Sequence, residues 1–158
     1  MLFRSIQVTA EAFNDAALWV DFTKDDKPRH FRLGVFGDLK AWNPKNLAAD
    51  QNPDFNKRLI VVNQPPFGRG RWTHVVITHS GLNTEAGGVA KLYLNGQLQG
   101  TTEGIREPFT WDLSRAAIRV GVNYVGLFDD LAVFNRALTE QEVRELLRLR
   151  GGVSALHR

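Results

Sequence analysis

Three groups of side chains have the types and spacing for chemistry: adjacent carboxylates at Asp129-Asp130, imidazoles at His74 and His79, and rings at Trp42, Trp111 and Tyr124. Two neighbouring carboxylates are the donor type that a hard cation such as calcium takes. On an extended backbone their side chains alternate faces, so only Asp129 or Asp130 can meet a given ion, and backbone carbonyls must supply the rest. Hydrogen-bond acceptance from the backbone or from Arg136 is the simpler role and is favoured. His74 and His79 are an odd number of positions apart on what reads as one strand, so they face opposite sides and cannot chelate a common zinc. His74 is expected to pack beside Trp72.

Trp42, Trp111 and Tyr124 fall in or beside predicted loops, where a flat ring can stack on a sugar while Asn43, Asn123 or Arg119 hydrogen-bonds its hydroxyls. Core or rim packing explains the same rings equally well. Trp19 and Trp72 lie within strand patterns and are expected in the core. Hydrolysis of a glycosidic bond needs two carboxyl groups about 5 to 10 Å apart, and Glu85, Glu103 and Glu107 have no carboxylate partner at strand spacing. There is no HExxH, no Gly-x-Ser-x-Gly elbow and no phosphate-binding loop. Without cysteine there is no disulfide, thiolate zinc site or cysteine nucleophile. The chain is therefore expected not to be an enzyme.

These residues must be positioned by a fold that 158 residues can supply as one domain. Twenty basic residues are interspersed with seventeen acidic ones, giving a net charge of +3, which reads as a mixed solvated surface rather than a nucleic-acid track. The basic stretch at Arg144, Arg148, Arg150 and Arg158 reads likewise as a solvated helix face. No apolar run approaches the roughly 20 residues that cross a bilayer, and the start lacks the pattern of a signal peptide. Neither nucleic-acid binding nor membrane insertion is expected.

Short alternating runs separated by turns fill the chain. Ala17 to Phe22, where Leu18, Val20 and Phe22 alternate with Trp19 and Asp21, and Phe31 to Phe36, with Phe31, Leu33 and Val35 on one face and Arg32, Gly34 and Phe36 on the other, read as a hairpin across the polar turn Lys24 to Pro28. Trp42 to Asn56 reads as a long loop, Leu59 to Val62 as a strand, and Arg71 to His79 as the clearest strand. Val89 to Leu94 turns at Asn95-Gly96, whose residues suit the positive φ of a tight hairpin. Ala116 to Val122 and Leu127 to Phe134 complete at least seven strands, spaced as in a β-sandwich. A helix follows, with Thr139 and Glu142 as capping box, an Glu140–Arg144 pair and a stripe of Val143, Leu146 and Leu147, closed by Gly151-Gly152.

Two segments carry a resemblance. Trp72-Thr73-His74-Val75-Val76-Ile77-Thr78 leads to Lys91-Leu92-Tyr93-Leu94-Asn95-Gly96, and Gly126-Leu127-Phe128-Asp129-Asp130-Leu131-Ala132-Val133-Phe134-Asn135-Arg136-Ala137-Leu138-Thr139 precedes the helix. In residues, order and spacing, over about residues 17 to 149, they resemble the laminin-G-like family of concanavalin A-like lectin/glucanase folds. That family's opening strand is missing or degraded here. Because Leu2-Phe3-Arg4-Ser5 is also the translation of a common sequencing-adapter end, residues 1-5 are expected to be a non-native leader, 6-150 an N-terminally truncated domain, and 151-158 a tail.

The resemblance implies an all-β fold, an antiparallel jelly-roll β-sandwich with a short C-terminal helix, in which the WTHVV and FDDLAVF stretches share one core. It implies a structural calcium as the sole candidate cofactor, at Asp129 or Asp130, and ligand surfaces on rim loops or a concave sheet. The E-x-D-x-x-E phrase of the family's laminarinase-type hydrolases does not occur. The expected function is a non-catalytic carbohydrate- or protein-binding adhesion module of a larger extracellular or cell-surface protein, with a glycan or extracellular protein as partner. A structural spacer, or a glycoside hydrolase or lyase with an unrecognised site, stands as the alternative.

Overall fold

The computed structural model describes residues 17–23, 29–110, 112, 114, 118 and 126–157. Alternation of apolar and polar residues produces six strands among the described residues: β1 (Ala17–Phe22), β2 (Phe31–Phe36), β3 (Leu59–Val62), β4 (Val75–Ser80), β5 (Gly88–Leu94) and β6 (Gln97–Ile105). They form two three-stranded antiparallel sheets in the orders β1-β2-β3 and β4-β5-β6. The expected β1–β2 hairpin forms, with Val20 opposite Leu33. Its Lys24 to Pro28 turn lies outside the described residues.

A single buried cluster joins the sheets: Phe31, Leu33 and Val35 of β2 and Ile60 and Val62 of β3 meet Ala90, Leu92 and Leu94 of β5 and Ile105 of β6. Leu18, Val20 and Phe22 of β1 and Val75 of β4 pack against it. Burial of several such side chains, each contributing roughly 1.5 to 3 kcal/mol, is what holds two open sheets face to face. Where β3 approaches β6 the fit is close, because a Cβ on Gly100 would fall 2.7 Å from Cγ2 of Ile60. Asn95 and Gly96 turn the β5–β6 hairpin with φ of 50° and 76°, the paired positive values expected of them.

Helix α1 (Leu39–Trp42) is a single turn that ends at Trp42, where the expected long loop begins, and α2 (Glu140–Arg148) is the expected C-terminal helix. In α2 the Thr139 hydroxyl accepts from the Glu142 N–H while the Glu142 carboxylate accepts from the Thr139 N–H, so the capping box forms in both directions. Glu140 pairs with Arg144 at 3.6 Å. Val143 is fully buried, and a Cβ on Gly96 would lie 3.2 Å from Leu147, which places the helix over the β5–β6 turn. Tyr93, buried on the face of β5 away from the central cluster, feels the charges of Glu140 and Arg144; burial, with Glu140, pushes its hydroxyl up.

Two strand expectations fail, and with them two expectations about the core. The strand expected over Arg71 to His79 begins only at Val75, and Trp72 is 66% exposed rather than in the core. Leu127 to Phe134 is not a strand: Asp130 has φ of 54°, a left-handed value that breaks extended backbone, and its N–H is taken by the Asp129 carboxylate instead of a ladder partner. Consequently the FDDLAVF stretch shares no core with WTHVV, and Leu127 and Val133 are 77% and 71% exposed. The strand expected over Ala116 to Val122 lies outside the described residues except for Ile118.

Candidate ligand-binding surface

The outer face of β1 and β2 is roofed by the segment between β2 and β3. Trp19 stacks parallel to Phe36 with centroids 5.8 Å apart, and it can do so because the cross-strand neighbour, Gly34, has no side chain to collide with the indole. Phe36 in turn meets Trp42 at 5.1 Å and Phe55 at 5.2 Å. Two guanidiniums cover this aromatic group. Arg32 donates twice to Asp21, at 3.0 and 2.7 Å, and lies 5.3 Å over Trp19. Burial pushes the Asp21 carboxyl above its ordinary range despite the opposing pull of Arg32. Arg58 lies 5.2 Å over Trp42 and grips Glu107 with two nitrogens, one at 3.0 Å.

This packing engages two of the expected sugar-binding residues. Trp42 is half-buried among Phe36, Phe55 and Arg58, and its Nε1 is enclosed without a partner. Asn43 is 6% exposed, and its side-chain amide closes the following turn by donating to the Leu47 carbonyl and accepting from the Leu47 N–H, each at 2.9 Å. The other four expected residues, Trp111, Arg119, Asn123 and Tyr124, lie outside the described residues.

Carboxylates do converge at one place that strand spacing did not suggest. A small open cleft of about 130 Å³ is lined by Asp54, Lys57, Arg58, Glu103 and Glu107 with backbone from β6. Lys57 binds Asp54 at 2.7 Å and holds its carboxyl below the usual range, and Arg58 neutralises Glu107. A general acid for glycoside cleavage needs a carboxyl whose proton is retained, the opposite of what Lys57 does to Asp54.

Asp129 and Asp130 are both exposed; the Asp129 carboxylate accepts from the Asp130 N–H at 3.0 Å, one of the acceptor roles favoured above. Arg136 binds Glu142 instead, at 2.9 and 2.5 Å, and together with Thr139 drops the Glu142 pKa to about 2. The Asp130 carboxylate lies against Gly152, where any Cβ would collide with it. Among the described residues no cluster of three metal-ligating side chains forms there or elsewhere. His74 lies just before β4, where its backbone exchanges hydrogen bonds with Asn95, at 3.0 and 2.8 Å, while His79 lies on the inner face of β4. Burial lowers both pKa values, that of His79 to about 4.

The connection from β3 to β4 presents what the loop aromatics were expected to present. Phe67 is driven into the end of the sandwich, meeting Phe22 edge-on and Phe31 obliquely, each at 4.9 Å. Beyond it the chain doubles back through a bridge between Gly68 and Arg71, helped by Gly70 at φ of 70°. Gly68 to Trp72 are all exposed, so an indole and the side chains of Arg69 and Arg71 project from an anchored tip. Sequence reading missed this because Trp72 continues the alternation of β4. The signal was nevertheless there, in a Gly-Arg-Gly-Arg turn immediately before the ring.

The family model described as the concanavalin A-like lectin/glucanases superfamily, in its laminin-G-type form, matches residues 8–144. No curated protein sequence matches the chain significantly. Among solved structures, the chain is similar to part of an S-layer domain-containing protein from Clostridium thermocellum, at 19% identity and a TM-score of 0.43. The match covers 85% of this chain and 57% of the other.

Proposed function

The chain belongs to the laminin-G-type group of the concanavalin A-like lectin/glucanases superfamily, and from that premise we propose that it is a non-catalytic recognition module. On this reading it binds a glycan or a protein outside the cell, as one domain of a larger secreted or cell-surface protein. The observation that carries the reading is the exposed Trp72 ring on a tip whose base is fixed by Phe67. A large apolar ring in water on a held backbone favours binding, since little ordering entropy remains to be lost when a partner arrives. The cation-paired state of Asp54 and Glu107 supports a non-catalytic role. Part of the same reading is jelly-roll connectivity, supported by the antiparallel pairing and the shared core.

A broad glycan array and an extracellular-protein array, probed with the chain and with Trp72→Ala, test this function. Saturable binding that Trp72→Ala weakens is expected, with no new reducing ends when polysaccharides are incubated with the chain. Turnover of a polysaccharide, or binding to nothing on either array, would overturn it.

A further inference from the structure

Resting on the recognition reading, we infer that the tip formed by Arg69, Arg71 and Trp72 is a binding site for an acidic polysaccharide, one whose sugar rings carry carboxylates. Its side chains suit that chemistry. An exposed indole offers a flat face to the C–H face of a sugar, and a guanidinium pairs with a carboxylate through two parallel N–H donors.

The two arginines are available for such a ligand in a way that others are not. Arg32, Arg58, Arg136 and Arg144 are each tied to a carboxylate of the chain, Asp21, Glu107, Glu142 and Glu140 respectively. Arg69 and Arg71 have no ion-pair partner among the described residues, and both are exposed beside the ring. Two unopposed positive charges and one ring within four consecutive residues match a polymer that repeats a sugar face and a negative charge. The anchoring matters equally. Phe67, held between Phe22 and Phe31, and the Gly68–Arg71 bridge fix the backbone from which all three side chains project.

A single-stranded nucleic acid also combines stacking faces with negative charge. It is disfavoured because its recognition relies on a basic track along many phosphates, whereas here seventeen acidic residues are interspersed with twenty basic ones.

Calorimetric titration of the whole chain with polygalacturonate, neutral galactan, carrageenan (a galactan bearing sulfates and no carboxylates) and a single-stranded polynucleotide separates the cases. Binding to polygalacturonate is expected to exceed that to galactan by tenfold or more, and Arg69→Ala, Arg71→Ala and Trp72→Ala are each expected to weaken it about tenfold, the equivalent of roughly 1.4 kcal/mol. Trp72→Phe should retain most of the affinity, and raising the salt from 50 to 300 mM should weaken wild type more than Arg69→Ala/Arg71→Ala. Tighter binding to carrageenan would transfer the site from carboxylate to sulfate ligands and overturn the carboxylate assignment. Equal or tighter binding to the polynucleotide would overturn the polysaccharide assignment. Trp72-dependent binding to galactan or to a protein, unaffected by the arginine variants, would overturn this inference and leave the recognition function standing. Binding to nothing in any assay would overturn both. All three side chains are exposed, so melting temperatures of the variants within a degree or two of wild type are expected to accompany the binding losses.

Discussion

Lowering the pH from 7 to 5 is expected to loosen the sandwich, with His79 as the responsible group. Its ring lies on the inner face of β4, on the same side as Val75 and Ile77 and opposite Ala90 of β5. Nδ1 is enclosed without a hydrogen-bond partner, and burial lowers the pKa to about 4. In an unfolded chain the imidazole returns to about 6.5. Between those values the unfolded state holds a proton that the folded state excludes, so the contribution is complete above about pH 6.5 and disappears as pH falls toward 4. Integrated from pH 7 to 5 the difference is about 2 kcal/mol, and solvent reaching this half-buried ring reduces it to about 1 to 2 kcal/mol. Urea midpoints of wild type and His79→Leu at pH 7, 6 and 5 measure it. The leucine chain should lose much less stability over that range, keeping a residual slope from His74, whose pKa burial also lowers. Parallel losses in the two chains would refute the placement of His79 between the sheets.

Gly100→Ala should cost about 1 to 3 kcal/mol by driving Ile60 and β3 away from β6, and it should cost clearly less in an Ile60→Ala background; equal costs in a denaturation cycle would refute the contact. Glu107→Gln should cost about 2 kcal/mol because it leaves the Arg58 guanidinium, 10% exposed, without its counter-charge, while Arg58→Met with Glu107→Gln should recover part of the loss in urea midpoint. Thr139→Ala should cost about 1 kcal/mol through loss of the α2 cap, with the decrease visible in helical circular dichroism.

Local rules read from sequence survived where the structure is local. The capping box needs only residues 139 to 142, and the Asn95-Gly96 turn only its own two φ angles, so each is visible in a few letters. The β1–β2 hairpin was legible for a similar reason, since alternation marks one apolar face on each strand, but a slip of two residues preserves those faces and the pairing of Val20 with Leu33 was not legible. Alternation misled at Leu127 to Phe134, where apolar residues occupy both faces and so specify neither. There the Asp129 side chain captures the next N–H and Asp130 turns left-handed, a local competition that a hydrophobicity pattern does not register.

The candidate site shows the same division between near and distant determinants. Trp42 and Trp72 are both tryptophans beside turn-forming residues, and their own neighbourhoods in sequence favour Trp42, with Asn43-Pro44 following it, as the exposed ring. Their fates are decided elsewhere. Trp42 is drawn in because Phe36 and Phe55 flank it and because Arg58, covering it, is locked by Glu107 from 49 positions further along the chain. Trp72 stays out because Phe67, five residues earlier, takes the apolar position between Phe22 and Phe31 at the end of the sandwich. Whichever aromatic fills that position fixes the loop, and the next one is left exposed. On this logic Phe67→Ala should release the tip and weaken ligand binding as much as Trp72→Ala does, although Phe67 is not expected to touch the ligand. Unchanged affinity in a folded Phe67→Ala chain would separate the anchor from the site.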